Sequence, residues 1–297
     1  MKTLILAAGY GTRLLPYTRQ LPKPLFPVAN KPLIEYTIET MLPVTASKEF
    51  IVNLHHLPEM IPVQLKDGAR LGAKISYSPE REILGTGGAM LNLQDKLSSS
   101  DFWVVNADML FNLNLKDALT FHKQNNALAT LILFKTPAAK RYGHTSINRA
   151  GQIMEFVPKN DGRIPDEGLI FTGIHIINPA IFKYFPTDTK VFCIVAAVYK
   201  KILTTGRIFG FECEGTWQDI GNPDEYMQAN MRMLEKEKNN TLIDNSASVE
   251  NGATVGPFTV IGKNARIGAN ANVKNSVVWP GAHIKAGAQV SGQIITV

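Results

Sequence analysis

Apolar residues in this chain fall into three kinds of pattern, each predicting a different architecture. The first is the short unbroken run. Residues 3–8 have no helical spacing and suit one strand buried on both faces. Residues 50–54, 74–77 and 103–106 repeat that signal. Between these runs, residues 33–42 (opened by Pro32) and segments near 58–65 and 88–97 carry apolar side chains at helical spacing. Strand and helix in alternation predict an α/β fold. Its sheet should be mixed but mostly parallel, with helices on both faces and ligands beyond the carboxyl ends of its strands.

The second pattern is alternation without long helices. Residues 129–134 alternate as a strand does, 145–156 read as a hairpin turning at Asn148-Arg-Ala-Gly151, and 169–177 read as a further strand. A flap of strands beside the sheet is expected. Residues 191–203 then read as a helix carrying Cys193, 208–212 as a short strand, and Pro223 opens a helix to about Glu237. A polar Lys-Glu-Lys-Asn-Asn linker follows.

The third pattern is a repeat. Ile243, Val249, Val255, Ile261, Ile267 and Val273 recur every six residues, and after a five-residue step the series resumes at Val278, Ile284 and Val290. Gly, Asn and Ala fill the corners. Such hexads predict a parallel left-handed β-helix in which three hexads make one triangular coil. The expected division is residues 1–240 and residues 241–297. His283 invites an acyl-transfer reading of the tail, but so short a stack favours a role in oligomer formation or stability.

Composition narrows the picture. A chain of 297 residues favours two domains over one core. The net charge of +6 points to anionic partners. It is dispersed without a basic run or interleaved aromatics, so a small polyanion such as a nucleotide suits it better than nucleic acid. No run approaches a membrane span, and the apolar start is too short for a secretory segment. Cys193 and Cys213 lack metal-like spacing and read as buried thiols in a reducing compartment, so a cytoplasmic location is expected.

Candidate chemistry begins where the first strand breaks. Gly9 and Gly11 let backbone amides turn toward an anion, and Arg13 and Lys23 supply a planar fork of donors and a point charge. A dinucleotide fingerprint would need a third glycine where Leu14 stands, and a phosphate-binding Walker loop is lacking. Asp108 follows the strand at 103–106, and a carboxylate there is either solvated or metal-bound. Leu84-Gly-Thr-Gly-Gly-Ala89 is either a tight turn or bare backbone facing a flat ligand at a helix start. His55 and His56 point to opposite faces with no further ligand at metal spacing, which favours loop packing.

Taken together, Gly9-Tyr-Gly-Thr-Arg13-Leu-Leu-Pro16-Tyr-Thr18 and Leu21-Pro-Lys-Pro-Leu25-Phe-Pro27-Val resemble the signature of the sugar-1-phosphate nucleotidylyltransferases, also called NDP-sugar pyrophosphorylases. Trp217-Gln-Asp219-Ile-Gly221-Asn-Pro223 is similar to the family's Trp-x-Asp-Ile-Gly-x-Pro. The resemblance covers nearly the whole chain. It implies a Rossmann-like catalytic domain and Mg²⁺ held by Asp108 and Asp219. It further implies a nucleotide held by Ala7, Ala8, Gly9, Gly11, Thr12 and Arg13. Gly85 and Thr86 would face the base, with Glu80 helping to select it. Arg13, Lys23, Asp108 and Asp219 would be the catalytic set.

The sugar phosphate would sit at Gly143, in an element similar to the family's Tyr-Gly, with Lys159 and Thr172. Here the chain departs from the pattern. Pro158 stands where the family has a sugar-holding glutamate, and Phe171-Thr172-Gly173 replaces the usual Asn-Ala-Gly. The implied partners are a nucleoside triphosphate and a sugar 1-phosphate. GTP with a mannose-type sugar is favoured because the β-helix tail is frequent there. UTP with an amino-sugar 1-phosphate, or a catalytically inactive regulatory subunit of the same fold, is the alternative.

Overall fold

A computed structural model describes residues 1–235 and 240–297. The expected helix end at Glu237 and most of the polar linker lie outside the described residues. Two compact units are formed, one by Met1–Gly9 with Thr37–Trp217 and the other by Tyr10–Tyr36 with Gln218–Val297. The segment that follows Gly9 thus packs in the same unit as the repeat tail, across the sequence boundary near residue 240.

The first unit is built on a seven-stranded sheet. Its order is Ile208–Glu212, Ala129–Thr136, Gly168–Ile177, Phe102–Asn106, Thr3–Leu6, Glu49–Leu54 and Lys74–Pro79. Thr3–Leu6 lies parallel to both of its neighbours, Phe102–Asn106 and Glu49–Leu54. Leu4, Ile5, Val52, Val104 and Val105 are fully buried, which is why these runs read as continuously apolar. Gly168–Ile177 is antiparallel to both of its neighbours. No long helical crossover precedes it, only short elements and the hairpin of His144–Ile147 with Ile153–Val157, so the chain returns reversed.

Several local expectations are revised. Residues 191–203 form two short pieces, Ile194–Ala197 and the 3-10 stretch Tyr199–Thr205, because Val198 leaves helical geometry at φ −122°. Cys193 is exposed rather than buried, since it precedes the first of these pieces instead of lying within a longer helix. Cys213 is buried as expected, and burial pushes its thiol up to about 12. The strand Met109–Leu113 and the helix Ala118–Gln124 carry no strong periodic signal and appear only in the structure.

A histidine in this unit sets an acid limit on stability. His175 is enclosed within the sheet and its Nδ1 shares a hydrogen bond with the Tyr199 hydroxyl. Burial holds its imidazole at about 3, against an ordinary 6.5. The folded protein therefore keeps it neutral where the unfolded chain takes up a proton. The stability contribution is complete above about pH 6.5 and declines as pH falls from there toward 3. On the order of 2 kcal/mol is lost between pH 7.5 and pH 5, lowering Tm by about 4–8 °C. Thermal unfolding at both values checks this, and His175→Gln should shrink the difference.

In the second unit the tail winds parallel strands over one another. Thr241 pairs with Thr259 and Ser248 with Arg266, each eighteen residues on. The next return is one residue shorter, pairing Val260 with Val277 and Arg266 with His283, which accounts for the five-residue step in the sequence. Strands at the three flats form three parallel sheets, the arrangement of a β-helix. Ile261, Ile267, Val273, Val278, Ile284 and Val290 fill its interior. Ile243 and Val249 of the first turn are 40% and 41% exposed because no coil stacks before them.

Candidate functional site

In the first unit, site residues gather where strand Thr3–Leu6 ends. The Ala7 amide donates to Asn53 Oδ1 at 2.6 Å, and Asn53 Nδ2 donates to Glu80 Oε1 at 2.8 Å. The Leu84 amide donates to the other Glu80 oxygen at 3.1 Å. His55 Nδ1 meets the Glu80 carbonyl oxygen at 2.9 Å, so this histidine supports the loop, as its position suggested. Asn53 and Glu80 are both buried. Together they join the ends of three strands and the start of helix Gly85–Asn92.

A pocket of about 160 Å³ opens beside this network, lined by Ala8, Gly9, Asn53, Glu80, Gly85 and Thr86 among others. A Cβ on Gly9 would meet nothing within 4 Å, so backbone there faces open space. The later glycines are bare for another reason. A Cβ on Gly87 would lie 2.2 Å from the Phe192 ring, and one on Gly88 2.1 Å from the Lys190 carbonyl oxygen. The Gly87 amide donates to the Phe192 carbonyl, and Thr86 Oγ1 accepts from the Ile194 amide at 2.9 Å. These contacts clamp the loop against residues 190–194 while Gly85 and Thr86 still line the pocket.

Asp108 stands on the same rim. Leu6 pairs with Asn106, and the Ala107 amide donates to the Leu6 carbonyl at 3.0 Å. The Asp108 carboxyl group is half-buried one residue further on. Across a bulge in Gly168–Ile177, Gly173 adopts φ +86°, and its missing Cβ makes room for the Asn106 side chain at 2.6 Å.

Of the expected flap, only the hairpin His144–Ile147 with Ile153–Val157 stands apart, because Ala129–Thr136 and Gly168–Ile177 pair into the central sheet; this hairpin brings Gly143 beside Lys159. Gly143 adopts φ +94°, and a Cβ there would sit 2.8 Å from the Val157 carbonyl and 3.4 Å from the Lys159 amide. Lys159 is exposed. Thr172 is buried, and its hydroxyl donates to the Ile132 carbonyl at 2.9 Å, while its own carbonyl accepts from Trp217 Nε1 at 3.1 Å. Its side chain thus shapes the bulge, and the edge-on pair of Tyr142 with Trp217 at 5.1 Å closes the wall.

In the second unit, Gly11 adopts φ +63° and starts the tight turn Thr12–Leu14. Thr12 and Arg13 are exposed on it. Lys23 is 8% exposed, and its Nζ lies 3.9 Å from Asp219 Oδ1. The turn after Asp219 is fixed from helix Pro223–Leu234. There the Gly221 amide donates to Glu225 Oε2 at 2.7 Å, and Asn222 caps the helix through the Glu225 amide at 3.0 Å. A Cβ on Gly221 would lie 2.7 Å from Asp219 Oδ2 and 2.8 Å from Arg13 Nη1. Arg13 and Lys23 therefore both approach Asp219, and the missing Cβ of Gly221 leaves room for the Arg13 and Asp219 side chains.

This predicts a specific failure. In Gly221→Ala the three atoms nearest the new methyl are side-chain ends of Arg13 and Asp219, so Tm should hold within about 2 °C. Displacing two charged groups by an ångström or so should lower kcat/KM by on the order of 10². Steady-state kinetics beside a melting curve checks both halves.

Sequence reading missed two residues here. Asn53 had a signal, as a polar position inside an otherwise apolar strand. Glu225 had none beyond its place in the first turn of a helix.

The sequence matches the Nucleotidyl transferase family over residues 2–236 and the GMPPB C-terminal domain over residues 238–297. It is 30% identical to the probable mannose-1-phosphate guanylyltransferase 2 of Oryza sativa subsp. japonica, over 99% of this chain and 86% of that protein. It is 32% identical to the mannose-1-phosphate guanyltransferase of Yarrowia lipolytica, over 83% of this chain and 68% of that protein. Among solved structures, HddC from Yersinia pseudotuberculosis complexed with GMP-PN superposes with a TM-score of 0.66 at 25% identity, covering 78% of this chain and 99% of that one. A putative glucose-1-phosphate thymidylyltransferase from Bacillus anthracis shares the fold, with a TM-score of 0.69 at 22% identity over 80% of this chain and 96% of that one. With both parts of the sequence matched in order, the chain belongs to the nucleotidyl transferase family, among its sugar-1-phosphate nucleotidylyltransferases.

Proposed function

We propose that this enzyme joins GTP to a mannose-type sugar 1-phosphate, giving a GDP-sugar and pyrophosphate. The observation that carries the reading is the likeness to the rice mannose-1-phosphate guanylyltransferase, which runs through 99% of the chain, tail included. An oxygen of the sugar phosphate forms a bond to the α-phosphorus of GTP. The bond from that phosphorus to the bridging oxygen breaks, and pyrophosphate leaves with the electron pair. The attacking phosphate is already anionic, so no general base is needed. The barrier is the alignment of two polyanions and the charge on the α-phosphate oxygens.

Each residue then has a role in that problem. Ala7, Ala8, Gly9, Gly11 and Thr12 present backbone to the triphosphate, and Arg13 holds the departing pyrophosphate. Lys23 sits by the α-phosphate, and Gly143 and Lys159 anchor the sugar phosphate. Thr172 contributes by shaping the wall. Gly85 and Thr86 line the base pocket, and Glu80 acts through Asn53 and the Leu84 amide, holding that pocket in shape. Family members use a divalent metal, and we assign it as Mg²⁺ on Asp108 and Asp219. The donor set fits: Mg²⁺ takes one or two carboxylates beside phosphate oxygens and waters. Asp219 supplies a carboxylate beside Lys23 and Arg13, and Gly221 carries no Cβ to displace it. Bound there, the ion would supply Lewis acidity and neutralise charge.

No helix among the described residues is long and apolar enough to cross a membrane. A reducing cytoplasm suits the free thiols of Cys193 and Cys213. We assign the tail a part in self-association, which light scattering on the purified chain would read.

Pyrophosphate release from each common nucleoside triphosphate against a panel of sugar 1-phosphates tests the reading. GTP with mannose 1-phosphate should give the highest kcat/KM by at least about tenfold, a margin the base pocket supplies through unpaired polar groups on a wrong base. A maximum with UTP and an amino-sugar phosphate would overturn the guanylyl assignment. Release with no pair would make the chain a non-catalytic member.

A further inference from the structure

The segment carrying Lys23 has little structure of its own. Residues 12–25 are three separate 3-10 turns, followed by a two-residue ladder between Pro27–Val28 and Lys31–Pro32. Such turns cannot hold a cation to within an ångström by themselves. What holds them lies in the same compact unit, on helix Pro223–Leu234 and on the tail.

Phe26, three residues after Lys23, is fully buried. It meets the ring of Trp279 edge-on at 4.9 Å and that of Tyr226 at 5.4 Å. Trp279 Nε1 donates to the Tyr226 hydroxyl at 3.0 Å, and that hydroxyl donates to the Pro27 carbonyl. An N–H in the tail thus reaches, through one phenol, the backbone next to the phosphate loop. The segment also bonds the tail directly, through Asn30 Nδ2 to the Ile261 carbonyl at 2.9 Å and Gln20 Nε2 to the Val297 carbonyl at 3.1 Å. Trp279 is 4% exposed and far in sequence from every residue assigned to substrate.

We propose that Trp279, relayed by Tyr226, is a positioning residue for the phosphate loop, so that the β-helix tail sets how well Arg13 grips pyrophosphate. The proposal rests on the assignment of Arg13 to the departing pyrophosphate. It makes the tail a working part of the catalytic apparatus as well as a scaffold or assembly surface. Preorganised donors lose most of their effect when their support loosens, because they must then be ordered at the moment of reaction.

The test uses full-length Trp279→Phe, Tyr226→Phe and Trp279→Ala, with Arg13→Ala as reference. The assay is the reverse reaction, with pyrophosphate and the nucleotide sugar that the substrate panel identifies. Trp279→Phe keeps a ring against Phe26 and loses the N–H, and Tyr226→Phe loses the relay oxygen. Each should raise KM for pyrophosphate by roughly threefold to tenfold while KM for the nucleotide sugar moves less than twofold. Trp279→Ala should raise it further, and if it does not fold the two phenylalanine variants decide. A purely structural role would lower the active fraction, and hence the apparent kcat, with both KM values unchanged, and that pattern overturns the proposal. If Arg13→Ala raises KM for pyrophosphate and the Trp279 and Tyr226 variants do not, the proposal alone falls. If Arg13→Ala is silent too, the cation assignment falls with it.

Discussion

Asp108→Asn should all but abolish nucleotide-sugar formation, lowering kcat/KM by about 10³ or more, while Tm moves by less than about 2 °C. The two halves of this expectation come from different facts. Asn keeps the shape of Asp and one oxygen but removes the negative charge, which is what a divalent ion needs from a ligand. The side chain is half-buried just past a strand whose register is set by backbone pairing with Thr3–Leu6, so that register does not depend on it. Substitutions at such positions shift stability by about half a kcal/mol. Activity measured across a Mg²⁺ titration, beside a melting curve, checks the prediction. Full metal-dependent activity in the variant would remove Asp108 from the mechanism.

Arg13→Ala should lower kcat by roughly 10²–10³, the usual loss when one preorganised donor to developing charge is removed. Arg13 is exposed on a turn fixed by Gly11 and meets Asp219 where Gly221 leaves room. A guanidinium there would present a planar fork to the phosphate oxygens of the proposed substrate. Arg13→Lys should recover charge without the fork, and its rate should fall between the two. Single-turnover rates for the three proteins at saturating substrate check the order. Equal rates for Arg13→Ala and the unaltered enzyme would place the pyrophosphate elsewhere.

The glycine turn and the parallel strands could be read in the sequence because their causes are local. An unbroken apolar run ending in Gly-x-Gly is one strand and its exit loop whatever surrounds it. The hexads were legible for the same reason, since each strand of the tail sees the same interior. Asn53 was not legible as a site residue because its partners, Ala7 and Glu80, are distant in sequence and meet it only across the sheet. The loop at Gly85–Gly88 reads in the sequence either as a tight turn or as bare backbone facing a flat ligand, and what crowds Gly87 and Gly88 is a segment a hundred residues later. No local pattern could announce that. The exposure of Cys193 turned on the break at Val198, where an apolar stretch of helical appearance splits in two. The grouping of residues 10–36 with the tail followed from a few aromatic side chains, Phe26, Tyr226 and Trp279, that carry no periodic signal.

The central claim is that the carboxylates of Asp108 and Asp219 serve one metal–nucleotide complex. Mn²⁺ binding followed by electron paramagnetic resonance in the presence of GTP addresses it directly, using the unaltered protein, Asp108→Asn, Asp219→Asn and the double variant. If both carboxylates hold the same ion, each single change weakens Mn²⁺ at least about tenfold and the double change adds little more, because coupled ligands are not additive. Unchanged Mn²⁺ affinity in either single variant, or losses that simply add, would contradict the account.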